Sequence, residues 1–234
     1  MSLEYVSGTQ IQKYRLCPRR WHFEYVGRQR EEATESMDLG SRLHEQVEEY
    51  LRDEVLPEHV AALRLVRTPG FERDGLVEVP LSSASLTVRA TACKPQVELS
   101  LAGIPVKGFV DLWTSTGVVD HKFTGRAQNF ATPKKLKESL QMRLYAHAWL
   151  LAHTEATECR VTHNCATFDG TSSKVVTAVI TREESDISDI EHTVQEMKRD
   201  FTEAVLDLLD NDGKGCYSYG RRCPFTRACG RSVF

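Results

Sequence analysis

Two short apolar runs, Gly108-Phe109-Val110-Asp111-Leu112-Trp113 and Gly117-Val118-Val119-Asp120-His121-Lys122, constrain the fold more than any other part of the chain. Their β-branched and aromatic residues, separated by Ser and Thr, read as a hairpin. A turn centred between Ser115 and Thr116 makes cross-strand partners sum to 231, which sets Asp111 opposite Asp120. Like charges facing across a ladder destabilise it, so folding alone gives no reason for the pair. A divalent cation between them does. Period-2 alternation places Lys122 on the face of Asp120 and turns His121 to the other. The neighbours Phe109, Val110, Val118 and Val119 half-bury the acids, and a charge in such a run is costly unless coordinated. Two carboxylates holding Mg2+ or Mn2+, beside a lysine that orients water or offsets charge, suit metal-assisted phosphodiester hydrolysis.

The rest of the chain predicts a mixed α/β domain with a helical face on a central sheet. Ser7 or Thr9 can cap a short helix through Leu16, and Pro18 suits the first turn of a second one carrying Trp21, Phe23 and Tyr25. A longer helix is expected over 37–55, and Pro57 opens another. Runs at 76–79, 86–90, 97–101, 106–113 and 118–123 read as an antiparallel meander. Thr132-Pro133 starts a helix whose Leu136, Leu140, Leu144, Ala148 and Leu151 form one apolar stripe. Strands at 160–168 and 174–180 follow, then a helix over 183–209 with a break near Ser188.

In order and spacing, Gly108 to Asp111, Asp120-x-Lys122 and Gln141-x-x-x-Tyr145 resemble the PD-(D/E)XK nuclease superfamily and, within it, the RecB-like branch. Upstream, Gly40-x-x-x-His44 with Glu48 one turn later resembles that branch's first motif. The resemblance implies a restriction-endonuclease-like mixed central sheet flanked by helices. It makes Asp111, Asp120 and His44 metal ligands and Lys122 the catalytic lysine. Gln141 and Tyr145 become a pair supporting the site and the DNA strand. The second motif lacks the proline of the superfamily's name. A zinc-protease reading of His44-Glu45 fails, because Glu48 stands where a second histidine is required. His147 and His153 do not share a helical face and are read as structural.

Seven cysteines, an odd number, do not suggest a disulfide framework. Cys216, Cys223 and Cys229 cluster three soft ligands near the end of the chain, and Cys17 is the candidate fourth. The residues alone leave zinc, an iron-sulfur cluster and free thiols open. Cys17-Pro18-Arg19-Arg20 resembles the lone N-terminal cysteine of RecB-like nucleases that carry a cluster, such as AddB and the CRISPR-associated exonucleases. The resemblance implies a 4Fe-4S cluster that joins the N- and C-terminal ends. Six residues between Cys216 and Cys223, where many such proteins have two, make Cys216 the least certain ligand.

Charge is partitioned in the same way. Residues 1–30 hold six Lys and Arg against two Glu, and residues 213–234 hold five with no acid, within a chain of net charge −3. Arg19, Arg20, Arg221, Arg222, Arg227 and Arg231 would then lie around the cluster beside Trp21, Tyr217, Tyr219 and Phe225, whose rings can stack on unpaired bases. A composition of 41% hydrophobic and 27% charged residues excludes disorder, collagen and coiled coil. Residues 1–30 build no signal-peptide core and no stretch approaches the ~20 apolar residues of a membrane span, so a cytoplasmic location without a membrane partner is expected. With no repeat or long linker, 1–234 reads as a single nuclease domain whose residues 1–30 and 213–234 form the cysteine-ligated subregion. The expected activity is that of a metal-dependent exonuclease on single-stranded DNA or DNA ends. The alternative is a non-cutting nucleic-acid-binding or adaptor subunit of a recombination, CRISPR-adaptation or phage-replication complex. A redox or metal-storage protein would leave the acidic hairpin unexplained.

Overall fold

The computed structural model describes residues 3–29, 34–73, 81–82, 85–89, 94–203, 216–218 and 221–229. Internal contacts divide the chain into two compact units, Met1–Glu32, Ser100–Lys107 and Ser188–Phe234 in one, Ala33–Leu99 and Gly108–Ile187 in the other. The described strands form two mixed sheets and a two-stranded ribbon. With their flanking helices they make a mixed α/β fold. No helix among the described residues is long and apolar enough to cross a membrane.

In the first unit, β1 (Val6–Ser7) lies parallel to β5 (Ile104–Phe109), with Val6 beside Val106. Ser7 caps α1 (Gly8–Leu16) by accepting the Gln10 N–H at 3.3 Å. Pro18 opens α2 (Pro18–Trp21), which continues as a π-helical turn over His22–Val26. Trp21 is fully buried, edge-on to Tyr14 at 5.3 Å. The last long helix, α7 (Ser188–Glu203), begins at the expected break and is tied to α1. Tyr14 Oη donates to Asp200 Oδ2 at 2.5 Å, and Arg15 Nε donates to Thr193 Oγ1 at 2.9 Å. The expected continuation to 209 lies outside the described residues. Near the end of the chain β10 (Tyr217–Ser218) and β11 (Arg221–Arg222) pair antiparallel, followed by α8 (Thr226–Cys229).

The second unit is a sheet covered on both faces. Its order is β6 (Leu112–Trp113), β7 (Gly117–Thr124), β8 (Glu158–Thr167) and β9 (Ser173–Thr181). On one face lie α3 (Glu35–Asp53), capped by Thr34, and α4 (Val60–Val66), whose Leu43, Val47, Tyr50 and Leu65 pack with Phe123 and Ala166. The second of these helices starts at Val60 and not at Pro57, because His59 Nδ1 supplies the cap by accepting the Ala61 N–H at 3.2 Å. The other mixed sheet, in the order β1-β5-β4-β3-β2, contains β2 (Leu81–Ser82), β3 (Leu86–Arg89) and β4 (Gln96–Leu101), in which β2–β3 and β3–β4 pair antiparallel. The expected strand at 76–79 lies outside the described residues.

Two expectations are corrected here. The run 106–113 is not one strand, so the single central sheet becomes two. The Val110 N–H donates to Pro95 O at 3.1 Å and Asp111 bends away, leaving β5 in one sheet and β6 in the other. Beyond the expected meander, whose described neighbours β2–β3, β3–β4 and β6–β7 are antiparallel, β8 lies parallel to β7. Parallel neighbours need a crossover, and α5 (Pro133–Glu138) and α6 (Leu140–Ala152) provide it after a 3₁₀ turn at Ala127–Asn129. Finally, the single helix expected after Thr132 is broken at Ser139, whose ψ of 122° is extended. The break rotates the buried stripe. Leu151 is 36% exposed, while Met142, Ala146, Trp149 and Leu150 are buried with Leu144 and Ala148.

Candidate active site

All the candidate metal-site residues fall in the second unit, on β7, on α3 and α6, and at the bend before β6. The hairpin register is the expected one, with Leu112 opposite Val119 and Trp113 opposite Val118. Asp111 follows that register by position but leaves the ladder, and its Oδ2 accepts the His121 N–H at 2.6 Å. His44 Nδ1 comes to 3.6 Å from the same oxygen. Burial opposes ionisation of Asp111, but the His44 contact and the nearby His121 outweigh it and hold the carboxyl well below its usual range. His44 stands edge-on to Phe123 at 5.5 Å. A cavity here is lined by His44, Glu48, Leu51, Lys94, Asp111 and His121. In it Glu48 is paired with Lys94 at 3.3 Å.

Asp120 belongs to a second group, on the face covered by α6. Gln141 Nε2 donates to Asp120 Oδ1 at 3.0 Å and to Tyr145 Oη at 3.2 Å, while Gln141 Oε1 accepts from Lys122 Nζ at 3.1 Å. The amide therefore has one orientation: oxygen to the ammonium, nitrogen to the carboxylate. Lys122 Nζ also lies 2.8 Å from Asp120 Oδ2 in an ion pair that lacks hydrogen-bond geometry. Burial disfavours the Lys122 ammonium, but Asp120 outweighs burial and raises its pKa above the ordinary value. Tyr145 Oη donates to Phe109 O at 2.6 Å. Gly108 makes room for that ring, since a Cβ there would sit 2.8 Å from Tyr145 Cε1.

On the opposite face of β7, His121 is buried, its ring stacked on Phe71 at 5.6 Å and its Nδ1 3.3 Å from Asn164 Nδ2. Burial lowers its pKa below the ordinary value, against the opposing pull of Asp111. The sequence reading missed His163. This residue pairs with Asp120 across the parallel register, and its Nε2 lies 3.5 Å from Asp120 Oδ2. His147 and His153 contact the carbonyls of Ser185 and Trp149, as structural residues do.

Among the described residues no three His, Cys, Asp or Glu side chains converge as a preformed metal site. The acidic centre is divided into the His44–Asp111 and Asp120–Lys122 pairs, joined through the backbone of His121. Its donors nonetheless fit a divalent ion. Asp120 Oδ2 is buried with the Lys122 ammonium, at 2.8 Å, and His163 near it, and carboxylate oxygens such as those of Asp111 and Asp120 are the hard donors that Mg2+ or Mn2+ takes.

The cysteine candidates lie in the first unit. Cys17 and Cys216 are buried, Cys223 and Cys229 half-buried. Burial raises the Cys17 thiol's pKa, and Cys223 and Cys216 are near enough to raise it further. The long arm between Cys216 and Cys223 folds back as the β10–β11 ribbon, and Cys223 N donates to Cys216 O at 2.8 Å. Cys229 Sγ accepts from Arg19 Nη1 at 3.8 Å. Two rings expected to face DNA do not. Trp21 is fully buried, and Phe225, 7% exposed, stacks on Phe23 at 5.4 Å. Tyr217 is 64% exposed, whereas Arg19 is buried. Tyr219 and Arg231 lie outside the described residues.

No curated protein matches the chain. Among solved structures, "Crystal structure of SSO0001" aligns over 84% of this chain and 76% of that chain, with 13% identity and a TM-score of 0.45. The profile of the PD-(D/E)XK nuclease superfamily matches residues 5–230, and the chain belongs to that superfamily.

Proposed function

We propose that the chain is a metal-dependent deoxyribonuclease of the RecB-like branch, an exonuclease acting on single-stranded DNA or DNA ends. The observation that carries this reading is the Asp120–Gln141–Lys122 network, in which one amide sets the positions of a carboxylate and an ammonium. Asp111, Asp120 and His44 would hold Mg2+ or Mn2+. When bound, such an ion supplies Lewis acidity to the scissile phosphate and acidifies a coordinated water. The chain's own groups do the rest. Lys122, whose ammonium Asp120 stabilises, donates to a phosphate oxygen or to the attacking water and offsets developing charge. Gln141 keeps the two groups apart in orientation, and Tyr145 anchors the amide to the backbone at Phe109.

Incubation of labelled linear and circular DNA, single-stranded and duplex, with Mg2+ or Mn2+ tests this. Wild type is expected to degrade linear strands and spare circles. Asp120→Ala and Lys122→Ala are each expected to lose on the order of a thousandfold in rate. Equal degradation by all three proteins refutes the site. DNA binding without cleavage by wild type favours the adaptor reading.

The proposal extends to a structural 4Fe-4S cluster held by Cys17, Cys216, Cys223 and Cys229. The ribbon that returns Cys223 to Cys216 supports it, because it removes the objection raised by the long spacing. Purified protein should absorb near about 400 nm and contain iron, and Cys17→Ser should be colourless. Stoichiometric zinc without iron would replace this reading with a four-thiolate zinc site.

A further inference from the structure

Asp120 has two carboxylate oxygens and three partners. Gln141 takes Oδ1, while Lys122 and His163 both approach Oδ2, at 2.8 Å and 3.5 Å. The parallel pairing of β7 with β8 puts His163 directly beside Asp120 on the same face of the sheet. Both residues are buried, 3% exposed for Asp120 and 7% for His163. His163 Nε2 is buried without a hydrogen-bond partner and faces Oδ2, whose nearest contact is the Lys122 ammonium; an unpaired buried donor is costly. A lysine that serves the substrate must leave Oδ2, and a buried carboxylate stripped of its counter-charge is poorly tolerated.

We propose that His163 is a positioning residue for Asp120: its Nε2–H donates to Oδ2 and fixes the carboxylate when Lys122 turns to the phosphate. The assignment rests on the metal-nuclease reading above. A hydrogen-bonded carboxylate is a better-oriented ligand, and partners of this kind change metal affinity by about 10–100-fold. His163 thus acts on the metal through Asp120 and is not itself a ligand.

The test is Mn2+ binding to the full chain, followed by electron paramagnetic resonance, for wild type, His163→Leu and His163→Gln. His163→Leu removes the donor and should weaken Mn2+ binding at least about tenfold. Glutamine restores an N–H at similar reach, so His163→Gln should recover affinity to within about threefold of wild type, a rescue that a purely packing role does not produce. Nitrogen-14 coupling to the bound Mn2+ should be the same in all three. If the leucine protein does not fold, His163→Met serves as the donor-free variant. Wild-type affinity in the donor-free variant overturns the proposal. So does a glutamine variant as weak as leucine, and if nitrogen coupling is lost as well, His163 is a ligand. Absence of Mn2+ binding by wild type would instead overturn the metal-nuclease reading on which the assignment stands.

Discussion

The two faces of β7 use the same backbone in opposite ways. On one, Asp120 and Lys122 are wired to Gln141, with Tyr145 behind it, so that each polar group has an assigned neighbour. On the other, His121 and Phe123 sit against Phe71, His44 and the apolar side chains of α3 and α4. The first face is organised by direction; the second is organised by volume, with His44 at its edge as the one group that reaches the acidic centre, at Asp111. Period-2 alternation lets neighbouring residues satisfy both demands, so chemistry and stability can be altered separately at positions away from His44.

The comparison can be broken most forcefully from the packed side. Leu65 in α4 is fully buried, and Leu65→Ala should lower unfolding free energy by about 3 kcal/mol in a urea titration. Its cleavage rate per folded molecule should not change; a parallel loss of rate would mean the faces are coupled. Gly108→Ala tests the directional side. Its new Cβ would meet the Tyr145 ring at 2.8 Å, and displacing the ring should cost about 1–2 kcal/mol of stability and lower cleavage about tenfold. Tyr145→Phe keeps the ring and deletes the donor to Phe109 O, so about 1 kcal/mol and a few-fold in rate are expected. The double variant should lose less than the sum, as a shared contact requires. The smallest effect belongs to Lys137 on α5: Lys137→Ala removes an exposed pair with Glu184 at 2.6 Å and should leave the midpoint of the urea titration almost unchanged.

Legibility followed the range of the interactions involved. The hairpin register could be read because alternation and one turn determine it, and both are local. The spacing of Gln141 and Tyr145 on one helix was local too. Asp111's departure from the ladder was not, since it depends on Val110 meeting a carbonyl at Pro95. His163 was missed for a similar reason. It joins Asp120 only through the pairing of β7 with β8, two strands far apart in the chain whose register no local pattern determines. Trp21 and Phe225 were read as exposed from their basic neighbours, yet each ring finds an aromatic partner inside its own unit, Tyr14 for one and Phe23 for the other. The ribbon between Cys216 and Cys223 was not read at all, because two-residue strands are too short to leave a pattern.

That ribbon also frees the region from a strict ruler. A hairpin holds its base by register, so residues added in pairs at its tip lengthen both arms equally and leave the base in place. The approach of Cys223 to Cys216 at 2.8 Å, nitrogen to oxygen, is therefore indifferent to how far the tip extends. Two backbones at the jaws of a clothes-peg stay together whatever the length of its handles.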